Sequence, residues 1–322
     1  MENQLESFNP LSDKRTIFLP VAFLLMAIFA IGFAPIFIKF SMGEISPTAT
    51  IFNRFWIASI VFGIWNGIGA IRQNLSNDPP SQPQNLYTPK ILGMLVLMGS
   101  FFAAIQLLWA WSLSQTSVAS SVTILHGLRP LLTALGGWIL FKNRYDSKFL
   151  IGMTIAIMGA ILIGFNDFSD SINKLQGDIL SVISAIFSAL ELLIMEQLLT
   201  QFSTQIIMFW CCAIGSLVTI IVLSITGAHF FPLSWQGWLA VISLALVCQV
   251  IGHGLITYSL NYLSSGVVAV TMILDPVISS LLAWTILSEK LNVLNGIFCC
   301  IVLMGIYLSI SSKYAVKTEP IP

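Results

Sequence analysis

Six ionisable side chains stand where ionisable side chains are expensive. Arg54, His126, Arg129, Glu191, His253 and Asp275 each fall inside a long apolar run. If those runs lie in hydrocarbon, each charge costs about 2.5–3.5 kcal/mol even on a lenient insertion scale, so each needs a partner or a watery cavity. The chemistry open to such a set is recognition and proton carriage. Arg129 carries a planar fork that accepts a carboxylate bidentately, and Asp275 is a counter-charge for an ammonium. Together they either grip the two ends of a zwitterion or pair with each other and lock the fold. Glu191, flanked by Leu190 and Leu192, is a candidate proton carrier because an apolar setting favours the neutral carboxyl. His126 and His253 titrate near neutrality and read as hydrogen-bonded core histidines or as proton relays. Gln106, Gln249, Tyr258 and Asn261 add neutral polar groups, which points to a mixed polar cavity. Trp109 and Trp111 read as cavity wall or as plain packing. Arg54, nearer the end of its run, reads as structurally partnered or snorkelling to the interface.

Other chemistries lack their residues. There is no HExxH, no GxSxG, no Walker A sequence and no histidine–acid cluster, so no catalytic residue, metal site or cofactor is expected. The five cysteines, Cys211, Cys212, Cys248, Cys299 and Cys300, sit in apolar runs and read as buried thiols.

The elements that must position these residues follow from composition. The 322 residues are 57% hydrophobic and 9% charged, against about 25% charged in a soluble globular chain, and mean hydropathy is +0.90. A soluble enzyme, a nucleic-acid binder and a disordered scaffold are excluded on that ground. The 14 basic and 14 acidic residues cancel, so net charge points to no macromolecular partner. The expected partners are the lipid bilayer and a small-molecule substrate, with proton coupling as an option and no nucleic acid. The Gly63–Gly67 spacing fits close helix contact and says nothing of oligomeric state.

Long unbroken apolar runs point to helices, since only helices and closed barrels satisfy the backbone in lipid. At about 20 residues per crossing, ten spans are expected: 17–39, 46–71, 91–113, 118–140, 149–165, 177–199, 205–227, 237–260, 265–287 and 293–311. The polar residues 1–16 form a tail without the character of a signal peptide. Residues 72–90, with four prolines, form a flexible loop, and 312–322 form a second tail. Placing the N-terminus inside puts nine basic residues in the cytoplasm (Lys14, Arg15, Arg72, Lys90, Lys142, Arg144, Lys148, Lys313, Lys317) against three outside, Lys39, Lys174 and Lys290. By the positive-inside rule both termini are cytoplasmic. A bacterial inner membrane fits the absence of a targeting extension.

The chain repeats itself. At a shift of 146, RPLLTALGGWIL falls on DPVISSLLAWTIL, so that Arg129 matches Asp275, Pro130 matches Pro276 and Trp138 matches Trp284. WSLSQTSVA falls on YSLNYLSSG, and AIFAI (27–31) lies over AIFSA (185–189). Two repeats, 17–165 and 177–311, thus hold five spans each, and an odd number inverts the second against the first. Inverted repeats are typical of secondary transporters, whose site lies at the midplane between the halves. Pro130 and Pro276 remove backbone donors and free carbonyls one turn earlier. They read as packing kinks, as does Pro35, which has no counterpart in the sixth span.

These strings resemble the drug/metabolite transporter superfamily, in its ten-helix branch of two EamA repeats. The residues that carry the likeness are ISPTATIFNRF, TSVASSVTILHGLRPLLTALGGWIL and YSLNYLSSGVVAVTMILDPVISSLLAWTILSEKLN, in order across 17–311. The resemblance implies export or exchange of small metabolites, often amino acids, through a central cavity lined mainly by the first, third, fourth, sixth, eighth and ninth spans. Nucleotide-sugar carriage is the related alternative, but it calls for clustered Lys and Arg that this chain lacks. An intramembrane enzyme or a receptor is the remoter reading. The chain departs from the pattern at Asn143, where the family has an acid that the second repeat keeps as Glu289, at Ile31-Gly32 for a usual Trp-Gly, and at Cys211, the counterpart of Arg54.

Overall fold

A computed structural model describes residues 10–75, 87–116, 118–142, 145–165, 172–287 and 293–312. The centre of the 72–90 loop, most of both tails, Asn143 and Glu289 lie outside the described residues. The described elements are all helical: α1 (Pro10–Gly32), α2 (Ala34–Ser41), α3 (Pro47–Leu75), α4 (Pro89–Leu113), α5 (Val118–Phe141), α6 (Ser147–Phe165), α7 (Ile172–Leu198), α8 (Thr204–Thr226) and α9 (Trp235–Ser243). A π-helical segment (Leu244–His253) then leads into α10 (Gly254–Ser259), α11 (Ser265–Thr271), α12 (Leu274–Leu287) and α13 (Val293–Ile310). Among the described residues, seven stretches are long and apolar enough to cross a membrane, and α6 and α13 contain shorter apolar helices. The chain is an all-α, multi-pass integral membrane protein.

Local sequence sets the helix ends. Thr88 accepts a hydrogen bond from the Ile91 amide, with Pro89 opening α4. Ser46 and Ser234 cap α3 and α9 in the same way, each satisfying an amide that has no partner within its helix. Gly227 closes α8 at φ +64°, the left-handed region glycine enters freely.

Taken in order, α1–α2, α3, α4, α5 and α6 form the first repeat. The second is α7, α8, the α9–π–α10 unit, α11–α12 and α13. The pairing of elements displays the symmetry. α3 packs on α8, α6 on α13, and α5 on α11 and α12, each a contact between equivalent members. α4 packs on α7, and α1 packs on the π segment and α10, which is the same contact with the repeats exchanged. A pseudo-twofold axis therefore runs through the bundle. Close approach on the axis uses small residues, as lipid-embedded helices require. Gly159 and Gly305, 146 residues apart, face the α6–α13 crossing, where a Cβ on Gly159 would meet Val302 Cγ2 at 2.8 Å.

Three spans expected to be continuous are interrupted. The first turns at Phe33, the ninth breaks at Met272–Ile273, and the eighth widens into the π segment. In the first two, a proline just after the interruption is the physical reason. Pro35 lies in the first turn of α2 and Pro276 in that of α12, where a missing N–H does no harm.

Candidate functional site

A small cavity of about 30 Å³ lies among the helices of the bundle, with room for one or two waters. α4, α5 and α7 supply nine of its thirteen lining residues: Phe102, Ile105, Gln106 and Trp109, then Leu125, His126 and Arg129, then Ser188 and Glu191. The trio is bound together by hydroxyls. Ser112, Ser121 and Ser181 bond to one another at 2.7–3.0 Å, Ser184 donates to the Ile105 carbonyl, and Ser120 donates to Asp178. α3 adds Arg54, and the interrupted spans add one residue each: Ile31, His253 and Met272.

The charged groups do not pair as their repeat positions suggest. Arg129 takes Glu191 as its carboxylate, Nη2 to Oε2 at 3.6 Å, and Nη1 donates to the Met272 thioether at 2.9 Å. Asp275 lies behind the cavity wall, with Oδ2 3.2 Å from His126 Nε2 and Oδ1 accepting from Ser279. The two residues that coincide in the repeats are thus joined to different partners. Burial decides this, because Glu191 from α7 occupies the space beside Arg129.

Arg54 keeps one of its two sequence readings, the structurally partnered one. It is fully buried and lines the cavity, which excludes a snorkelling pose. Its Nε donates to Gln249 Oε1 and its Nη1 to Gln106 Oε1, both at 2.8 Å. Gln106 reaches the cavity while Gln249 stands behind it and also donates to the Cys212 sulfur. His253 meets the Phe102 ring edge-on at 5.0 Å between centroids. Trp109 lines the cavity, whereas Trp111 donates to Thr48 away from it.

The prolines contribute through what they cannot do. Pro35, Pro130 and Pro276 have no N–H for the carbonyls four residues earlier, which belong to Ile31, His126 and Met272. All three are cavity residues. The Met272 carbonyl takes the Asp275 amide instead, at 3.0 Å. The kinks read from sequence thus converge on one place.

Other candidates fall elsewhere. Tyr258 lies in a separate crevice of about 340 Å³ among Phe23, Phe62, Trp65 and Thr204, and Asn261 bonds to Thr204. Glu196 accepts from the Ser265 amide at the start of α11. Cys211, Cys212 and Cys248 are buried as expected, but Cys300 is exposed on α13. No group of three metal-ligating side chains occurs among the described residues.

Missed in the sequence were the placement of Arg54 in the cavity wall and the role of Met272 as a cavity residue. The conspicuous signal for Met272 was its position four residues before a proline.

The model of the EamA-like transporter family matches residues 18–165 and 175–311. An uncharacterized transporter from Archaeoglobus fulgidus is 24% identical over 283 residues, covering 87% of this chain and 93% of its own. Uncharacterized transporter YxxF from Bacillus subtilis is 27% identical over 175 residues, covering 53% and 54%. A solved crystal structure superposes with a TM-score of 0.67 at 16% identity, covering 90% of this chain and 96% of its own. At that identity the likeness is one of fold.

Proposed function

The chain belongs to the EamA-like transporter family, and on that premise we propose that it is a secondary transporter of small zwitterionic metabolites, amino acids first. It works by alternating access, exporting or exchanging its substrate across a bacterial inner membrane with both termini in the cytoplasm. The observation that carries this reading is the meeting of two inverted repeats around a small cavity whose wall holds both signs of charge. Glu191, the carboxylate in the wall, is the acceptor for an ammonium, with Asp275 behind His126 as a further negative group. Two guanidinium groups are available for a carboxylate.

Ligand sites usually enclose about 300–1,000 Å³, so a cavity of about 30 Å³ is too small to hold such a substrate as it stands. Opening requires the halves to part. Glu191 and Asp275 are the groups available to carry a coupled proton.

Uptake of a labelled amino-acid panel into proteoliposomes, with and without a pH gradient, tests the reading in wild type and Asp275→Asn. Gradient-driven uptake that is lost in the variant is the expected result. Uptake that ignores both gradient and variant makes the protein a facilitator. If no amino acid moves in a folded sample, the amino-acid assignment falls.

A further inference from the structure

We propose that Arg54, with the indole N–H of Trp109, is the seat for a carboxylate on the transported molecule. This deepens the transporter reading and rests on it only in taking the bound anion as cargo.

Arg54 is a buried charge without a counter-charge. Arg54 is 0% exposed, and no carboxylate lies within ion-pair distance of it among the described residues. Its partners are two neutral amide oxygens. A buried cation is costly unless paired, and two glutamines orient the guanidinium without neutralising it. Nη2 is left with no acceptor at all. In the same wall the Trp109 indole N–H is buried and also lacks a partner. Buried donors are normally satisfied. Two other lining residues also keep a free nitrogen, Arg129 Nε and His126 Nδ1, but each has a carboxylate beside it. A cation with a free donor and no resident carboxylate, sharing its wall with a free indole N–H, describes a place prepared for an anion.

The comparison with Arg129 strengthens the assignment. Arg129 has Glu191 beside it and the Met272 sulfur on its other arm. An incoming carboxylate there must displace a resident one, whereas at Arg54 it displaces nothing and supplies the missing charge. The wall carries two guanidinium groups against one carboxylate, since Asp275 stands behind His126. One bound carboxylate balances it. A planar guanidinium held on two sides by glutamines also presents its remaining edge in a fixed direction, which favours carboxylates over spherical anions.

The test uses the purified full chain in detergent. Binding of acetate, propionate and 4-methylpentanoate is measured by thermal shift against chloride at matched ionic strength, with leucinamide as the probe that lacks a carboxylate. Wild type is expected to bind the carboxylates and neither chloride nor leucinamide. Arg54→Gln is expected to weaken carboxylate binding about tenfold or more, the range of a charge-assisted hydrogen bond. The double variant Arg129→Gln/Glu191→Gln, which leaves no orphan charge, should weaken it less. If Arg54→Gln does not fold, Trp109→Phe carries the test, with about three- to tenfold weaker binding expected and unchanged binding counting against the seat.

Absence of carboxylate binding in wild type overturns the proposal. So does binding that survives Arg54→Gln but not the double variant. The transport reading fails separately. If carboxylates bind as stated and no amino acid is transported, the seat stands and the amino-acid assignment falls. If amino acids move with the same KM in wild type and Arg54→Gln, the transporter stands and the seat falls.

Discussion

Two trios of spans face each other across the cavity, and they are built differently although the repeats make them equivalents. α4, α5 and α7 are unbroken helices bound by a cluster of hydroxyls and supply most of the wall. Their counterparts are α1–α2, the α9–π–α10 unit and α11–α12, each interrupted. Within the second trio, cohesion comes from side chains reaching the backbone of α1: Ser259 to Pro20, Cys248 to Ala30 and Ser279 to Gly32, at 3.0–3.4 Å. Each residue this trio gives the cavity lies at or near its interruption. Ile31 is two residues before Phe33, His253 ends the π segment, and Met272 is in the α11–α12 break. One trio is thus a continuous, hydroxyl-bonded wall, and the other touches the site only at or near the interruptions of its helices. π segments and broken helices recur at functional sites. Between the trios the polar contacts at the cavity are a thioether and a histidine–aspartate approach.

The largest expected effect tests whether the continuous wall is held together by its internal ion pair. Arg129→Met leaves Glu191, 3% exposed, without its counter-charge. Removing one partner of a buried pair costs about 3–5 kcal/mol. Thermal unfolding in detergent should show that loss, and Arg129→Met/Glu191→Leu should recover most of it. A single variant as stable as wild type would mean the pair does not hold α5 to α7.

The second effect separates the two prolines that coincide in the repeats. Pro130 lies inside the unbroken α5, where alanine restores a bond to the His126 carbonyl. Pro276 lies in the first turn of α12, where no such bond is required. Pro130→Ala is expected to raise stability by about 1–3 kcal/mol and to slow transport, whereas Pro276→Ala stays within about 1 kcal/mol. Equal shifts in the two melting curves would remove the distinction between the trios.

This difference between equivalent prolines also marks how far the sequence was legible. The number of spans and the inverted repeat came from hydropathy and self-similarity, because lipid imposes both on the chain directly. The polar residues at the centre were found for the same reason: an ionisable group in an apolar run has to be accounted for. The partner of each group was not readable. Arg129 and Asp275 align in sequence, yet Glu191, on a different helix, fills the space beside Arg129, and only packing decides that. Arg54 was assigned by depth alone, but the face it presents depends on the rotation of α3. Nothing in LALVCQVIGH distinguishes a π segment from an α-helix, since both hydrophobic patterns suit lipid.

A third, smaller effect compares glycines in the two trios. A Cβ on Gly252, in the π segment, would lie 2.6 Å from Ile31 Cγ1. Isoleucine is branched at Cβ and yields little. A Cβ on Gly136 in α5 would meet only Leu193 Cδ1, at 2.7 Å, the far end of a flexible side chain. Gly252→Ala is expected to cost about 1–3 kcal/mol. Gly136→Ala should be close to neutral, because the helix propensity gained is about 1 kcal/mol. Matching melting temperatures for the two variants would show that the interrupted trio packs as loosely as its breaks permit.

The smallest effect lies at the end of the interrupted trio, outside the membrane. Glu44, in the link between α2 and α3, accepts hydrogen bonds from the Ser234 hydroxyl and from the Leu233 and Ser234 amides, tying the first span to the start of α9. These bonds, the Ser234 hydroxyl first, hold its carboxyl below the usual value of 4.5. A carboxyl with a depressed folded value binds fewer protons when folded than when unfolded. Its stabilisation is therefore complete above the unfolded value and is lost as pH falls through the folded one. Between neutrality and pH 5 Glu44→Gln should show a small constant deficit against wild type, and that deficit should close below pH 4. Because the group is exposed, salt should narrow the gap as well. A deficit that persists unchanged at pH 3 would place the contribution of Glu44 in the geometry of its hydrogen bonds rather than in its charge, and the tie between α2 and α9 would then be insensitive to acid.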